Sequence, residues 1–204
     1  MTGIRLVWLY AVGRRIPLAL IALAVIASGL RVALLGSWDA YGALQLPLCF
    51  EAAAAVTVVA TTASPFGEPE RVAGRWLPYL RLAVTLALTV AATGALLAAA
   101  ATGGHLSEGT LDVLRNVAGI TGIGLLFAAA VGSGLSWTGP TAYLVAGIYA
   151  LYTRWHPPAL TWPWLWPGRP PHDLGGALWA GLVFAAGLAV ITLRGARDRL
   201  GDGA

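Results

Sequence analysis

The sequence contains no lysine, and all thirteen of its basic residues are arginine. A phosphate-cradling P-loop needs its lysine and Schiff-base chemistry needs a side-chain amine, so neither activity can reside in this chain. Cys49 is the single cysteine, which excludes an intrachain disulfide and any multi-cysteine zinc or iron–sulfur site. Its expected place is that of a small buried apolar residue. Charge of either sign is scarce, at 11% of residues. No nucleophile elbow, no metalloprotease HExxH and no segment pairing two acids with a base is present. An enzyme active site is poorly supplied. Abundant Ala, Leu, Gly, Pro and Arg beside the missing lysine fits a high-GC bacterial genome.

Apolar residues fill the space that charge leaves. They make up 58% of the 204 residues, and the mean hydropathy of +0.74 lies far outside the range of soluble domains. The fold class expected is an all-α integral membrane protein with six transmembrane helices and an N-terminal interfacial helix. Residues 1–15 carry Ile4, Val7, Trp8 and Ala11 at helical spacing beside Arg5, Arg14 and Arg15, which suits a helix lying on the membrane. Residues 16–204 form one bundle. Its first span, Ile16 to Ser37, is close to the ~20 residues that cross the hydrocarbon. The apolar run continues to Leu35, longer than a signal-peptide core. The later spans are Tyr41 to Thr62, Tyr79 to Thr102, Val113 to Trp137, Thr141 to Trp155 after a Thr138-Gly139-Pro140 turn, and Leu174 to Leu193.

Six spans put both chain ends on one side, and arginine chooses the side. Nine arginines lie in the ends and in the connection Ser64 to Arg81, whereas the opposite loops hold only Arg154 and Arg169. The positive-inside rule therefore places both termini in the cytoplasm. Eight of the nine tryptophans, Trp8, Trp38, Trp76, Trp137, Trp155, Trp162, Trp164 and Trp166, fall at expected boundaries, as an interfacial belt would. The connection from Ser64 to Arg81 is the longest polar interruption of the first hundred residues, with Glu68, Glu70, Arg71, Arg75 and three prolines. It reads as a cytoplasmic element that a partner grips.

Few residues within the spans can carry chemistry. Glu51 sits at the middle of the second helix, where a carboxyl costs about 2.5–3.5 kcal/mol on insertion scales. It should be neutral, paired or facing a wet cavity. Arg31 on the antiparallel first helix lies within reach, so two readings stay open. Either Arg31 meets Glu51, lining a path or fixing the helix pair, or Arg31 snorkels outward toward Asp39 and Glu51 is held by neighbouring helices. His105, His156 and His172 fall in the outer loops near Glu108, Asp112 and Asp173 without ligand-pair spacing. Small residues recur every four positions at Gly124, Ala128 and Gly132 and at Ala177, Gly181, Ala185 and Ala189, a pattern that lets helices approach closely. The segment His156 to Asp173 holds six prolines and three tryptophans and cannot be one helix. It is expected to be an aromatic anchor between the last two spans, or a cap over an exit path.

This order of features resembles the type-2 family of ATP-binding-cassette exporter permeases: a basic interfacial helix, two spans, a charged cytoplasmic loop, and an outer interfacial segment between the fifth and sixth helices. The resemblance covers nearly the whole chain and rests on topology and loop placement. It implies a coupling helix within 64–81, about Glu68 to Leu77, presenting Glu68, Glu70, Arg71 and Arg75 to a separate ATPase subunit. It also implies pairing with a second permease subunit, identical or related, and alternating access driven by ATP bound on the partner, with no cofactor in this chain. The cargo expected is hydrophobic or amphiphilic, the location the bacterial plasma membrane, and the other contact membrane lipid, with no nucleic acid. Two further classes remain: a non-transporting anchor or assembly subunit, and an intramembrane lipid-modifying enzyme using the outer His, Asp and Glu residues.

Overall fold

A computed structural model describes residues 11–36, 40–63, 77–102, 109–153, 156 and 161–196. Among them there is no strand. Among the described residues, six α-helices are bounded at both ends: α1 (Ile16–Leu34), α2 (Ala40–Ala60), α3 (Leu77–Thr102), α4 (Thr110–Ala130), α5 (Thr138–Tyr152) and α6 (Leu174–Arg194). Four of them, α1, α3, α4 and α6, are long and apolar enough to cross a membrane. The apolar part of α2, Gln45–Ala60, is shorter. The 15 residues of α5 rise only ~22 Å at 1.5 Å each, against a ~30 Å hydrocarbon core.

The faces these helices bury follow from their sequences. In α1 the buried residues Ala19, Leu23 and Leu30 share one stripe, while Leu18, Ile21, Val25 and Val32 are exposed. In α6 the inner stripe is Gly176, Ala180, Gly187 and Ile191, with Leu174, Leu178, Leu182 and Leu193 outside. Large aliphatic side chains on the outer faces would aggregate in water and suit a lipid surround. The bundle is thus membrane-embedded in character. At its centre is α4, whose buried residues run from Asp112 to Ala128 around the helix.

Cross-helix contacts fix the directions. Asn116 of α4 bonds Glu51 of α2, and further along both helices Gly124 meets Val59, so α2 and α4 run parallel. Gly119 faces Ala180 and Gly122 faces Phe184, so α4 and α6 also run parallel. Arg14, just before α1, bonds Thr61 and Thr62 just after α2, while in α5 Pro140 meets Gly124 beside Val59 and Gly147 packs on Leu48, which makes α1 and α5 antiparallel to α2. The start of α3 lies at the end of α6, where Arg81 adjoins Gly195. The path is up and down, and the chain ends described here share one end of the bundle.

The close α4–α6 seam uses a different small-residue stripe from the one the spacing suggested. A Cβ at Gly122 would come within 2.6 Å of the Phe184 backbone, and one at Gly187 within 2.5 Å of the Gly122 carbonyl oxygen. Gly124 instead packs on Val59 and Pro140, and a Cβ at Gly181 would meet nothing within 4 Å. In an alanine-rich helix several four-residue stripes exist at once, and only the neighbours select among them.

Other expectations are corrected by local backbone chemistry. The fourth helix does not reach Trp137. It stops at Ala130, Gly132 takes φ 107°, and a short 3-10 turn, Ser133–Leu135, follows. Thr138, Gly139 and Pro140 form the first turn of α5 rather than a loop, since proline is tolerated where the backbone N–H has no helical partner. Cys49 is exposed, not buried, because the inward face of α2 is set by Leu48, Glu51, Ala52 and Ala55. The expected interfacial helix over residues 1–15 falls mostly outside the described residues; 11–13 are helical and Arg14–Arg15 form a turn. The connection residues Glu68, Glu70, Arg71 and Arg75 also lie outside them, and α3 begins at Leu77.

Candidate functional site

Polar side chains within the bundle gather at the end opposite Arg14 and Arg81. Because α4 begins at Thr110, before the expected Val113, its first two turns place Asp112, Arg115 and Asn116 at i, i+3 and i+4. Those positions lie on one side of a helix, and here that side turns inward. All three are buried, as is Glu51, which is 4% exposed. Asn116 donates from Nδ2 to Glu51 Oε2 at 2.9 Å. Arg115 pairs with Asp112 and donates through Nη1 to the Pro170 carbonyl at 3.0 Å and through Nη2 to that of Arg169.

Through these carbonyls the proline- and tryptophan-rich segment is tied to the bundle. Arg169 holds Asp173 with Nε–Oδ2 at 2.6 Å and Nη2–Oδ1 at 3.1 Å. Asp173 in turn caps α6, its Oδ2 accepting the Gly176 N–H at 2.5 Å. The Arg169 guanidinium and the Gly176 N–H hold the Asp173 carboxyl below its ordinary value, against a smaller upward push from burial. Tyr143 adds a bond from its hydroxyl to the Trp164 carbonyl at 2.7 Å.

Trp166 is not the interfacial anchor that its position suggested. It is 1% exposed, packed 4.5 Å from the Tyr143 ring and seated on Gly119, where a Cβ would lie 2.4 Å from the indole. The neighbouring Pro167 lies against Gly147. Trp162 and Trp164 remain exposed and stack on each other at 5.9 Å, as interfacial tryptophans can. The segment is therefore part anchor and part plug. Glycines on α4 and α5 supply the slot that a tryptophan and a proline fill.

Under this plug lies a cavity of about 60 Å³, walled by Leu30, Leu96, Leu151 and Pro167 and reached by Glu51, Asp112 and Asn116. It has room for a few waters at the ~10–15 Å³ each needs by this measure. The structure does not bring Arg31 to Glu51: Arg31 is exposed on α1, and the amide of Asn116 is at the carboxylate instead. His156 and His172 are exposed, and His105 and Glu108 lie outside the described residues. Among the described residues no group of three His, Cys, Asp or Glu side chains is placed to hold a metal. Asp112 and Asp173 are each engaged by an arginine, which leaves them unsuited to act as a general base.

The other end of the bundle carries a second polar arrangement that the sequence reading missed. Arg14 is 6% exposed and donates through Nη1 to the carbonyls of Thr61 and Thr62, at 3.3 and 3.0 Å. These carbonyls end α2, where the backbone dipole favours a cation. Arg81, Thr85 and Ile191 line the same small recess. The sequence signal was present in the run of two threonines closing an apolar helix, but its partner lies 47 residues away. Comparison with protein-family models, curated proteins and solved structures gives no match.

Proposed function

We propose that this chain is the permease subunit of an ATP-binding-cassette exporter, crossing the bacterial plasma membrane six times with both termini in the cytoplasm. The observation that carries the reading is the convergence at one end of the bundle. Arg14 joins the start of α1 to the end of α2, and Arg81 at the start of α3 adjoins Gly195 at the end of α6. The two stems of the charged 64–81 connection are thus tied to the chain's own ends. A push on the connection, with Glu68, Glu70, Arg71 and Arg75 against an ATPase subunit, would reach α1, α2, α3 and α6 together. ATP binding then shifts the bundle between two arrangements by the difference in its affinity for them.

The cavity under the plug is about 60 Å³, and the grooves between α1 and α2 and among α3, α4 and α6 are about 270 Å³ each, all below the ~300–1,000 Å³ of sites that hold drug-sized molecules. A hydrophobic or amphiphilic cargo would therefore travel between two permease subunits, identical or related, rather than through one. The same small cavity favours the second reading, a non-transporting anchor whose connection recruits a soluble partner.

The test is affinity purification of the chain from its native host in mild detergent, with mass spectrometry of what accompanies it. A stoichiometric ATP-binding-cassette ATPase, lost on Arg71→Glu with Arg75→Glu, is the expected result. Recovery with a non-ATPase partner, or alone under conditions that preserve other transporter complexes, overturns the exporter reading.

A further inference from the structure

The Arg14–Arg15 pair divides its two charges between different surroundings. Arg15 has a left-handed backbone, φ 56° and ψ 29°, a conformation that costs a non-glycine residue ~1–2 kcal/mol. The turn it makes sends the two neighbouring side chains apart. The Arg14 guanidinium enters the bundle and binds the end of α2, whereas Arg15 stays exposed. Among the described residues no hydrogen bond or ion pair holds the Arg15 guanidinium.

Arg15 stands at the mouth of a groove of about 270 Å³ between α1 and α2. The groove exists because its floor is short-chained: Ala19 and Ala22 on α1 face Val56, Thr57 and Ala60 on α2, and Leu18 forms a rim. From Arg15 to Ala22 the helix rises ~10 Å, a large part of the ~15 Å depth of one hydrocarbon leaflet. Among the described residues no carboxylate lines it, and the adjoining face of α1 is the exposed aliphatic one with Leu18 and Ile21. A cation at the polar end, an apolar trough running inward and an aliphatic outer surface together complement one class of molecule. Basic recesses between membrane helices select acidic headgroups.

We propose that this groove binds an anionic phospholipid, with the headgroup phosphate on Arg15 and an acyl chain laid along Ala19, Ala22 and Val56. The site depends only on the membrane-embedded character of the bundle, and it stands whether or not the chain is an exporter subunit. A phosphate on the Arg15 guanidinium gains charge-assisted hydrogen bonds that water at the same position does not match. The acyl chain fills a trough that a mobile lipid would otherwise occupy only part of the time.

The experiment is native mass spectrometry of the full chain released from nanodiscs of equimolar phosphatidylglycerol and phosphatidylcholine, in two variants beside the wild type. Arg15→Gln removes the charge at an exposed position. Ala60→Leu fills the groove from an exposed position on α2 and leaves both arginines. The wild type is expected to retain phosphatidylglycerol over phosphatidylcholine by about fivefold, the effect of one basic side chain at a membrane surface. Arg15→Gln should bring that ratio near one, and Ala60→Leu should reduce the retained lipid of both kinds. Equal retention of the two lipids by the wild type overturns the proposal, and so does an unchanged ratio in Arg15→Gln. Unchanged retention in Ala60→Leu would reduce the site to surface charge and overturn the groove. Release of the retained lipid by inorganic phosphate alone would assign the site to a free anion instead.

Discussion

Replacing Gly122 with alanine tests the central seam of the bundle. An alanine Cβ there lies 2.6 Å from both Cα and N of Phe184 and 2.7 Å from the carbonyl carbon of Val183. Ordinary carbon contacts are ~3.5–4.0 Å, so α4 and α6 must part by about 1 Å. The obstacle is backbone, so no rotamer change relieves it. A gap of that size forfeits a quarter to a half of each dispersion contact along the seam, and overpacking of this kind costs ~1–3 kcal/mol. Because a rigid helix must move, the cost should fall in the upper half of that range. Against it stands the gain of replacing a mid-helix glycine by alanine, ~0.5–1 kcal/mol. The net loss expected is about 1–2.5 kcal/mol, which in a chain of this size lowers the melting temperature by ~2–10 °C. The assay is thermal unfolding in detergent followed by intrinsic tryptophan fluorescence, with Gly181→Ala as control. Gly181 is also in α6, but its added methyl meets nothing within 4 Å, so that variant should melt no lower than the wild type. If Gly122→Ala melts with the control, the close α4–α6 contact is wrong.

Two further outcomes follow from the polar end of the bundle. Asn116→Leu removes the 2.9 Å donor to the buried Glu51 and should cost ~1–3 kcal/mol, the range for taking one partner from a buried hydrogen-bonded group. Chemical denaturation in detergent measures it, and a variant as stable as the wild type would remove Asn116 as a partner. Asp173, its folded pKa depressed by Arg169, contributes stability that is present above the ordinary carboxylate value and lost as pH falls through the lower folded value. Asn also caps helices well, so Asp173→Asn should lose only the partly exposed ion pair, about 0–1 kcal/mol at neutral pH. The gap in melting temperature between wild type and variant should close as the pH is lowered into the acid range, and a gap independent of pH would refute the ion pair.

The all-helical class and the apolar, membrane-embedded character needed only the sequence, because hydrophobic run length and the scarcity of charge are local properties of the chain. The embedding of Glu51 was legible for the same reason: a carboxyl in the middle of an apolar run must find a partner. Which partner was not legible. Arg31 and Asn116 are both polar residues on other helices, and only the rotation of α1 and α4 in the bundle turns Arg31 outward and Asn116 onto the carboxylate. Trp166 shows the same limit. Its composition is that of an interfacial residue, yet the absence of a side chain at Gly119 opens a slot that burial of the indole fills. Residue type sets which surroundings each side chain can tolerate, one helix at a time. Which helix faces meet depends on all of them packing at once, so the choice among several glycine stripes, several arginines and nine tryptophans was made in three dimensions.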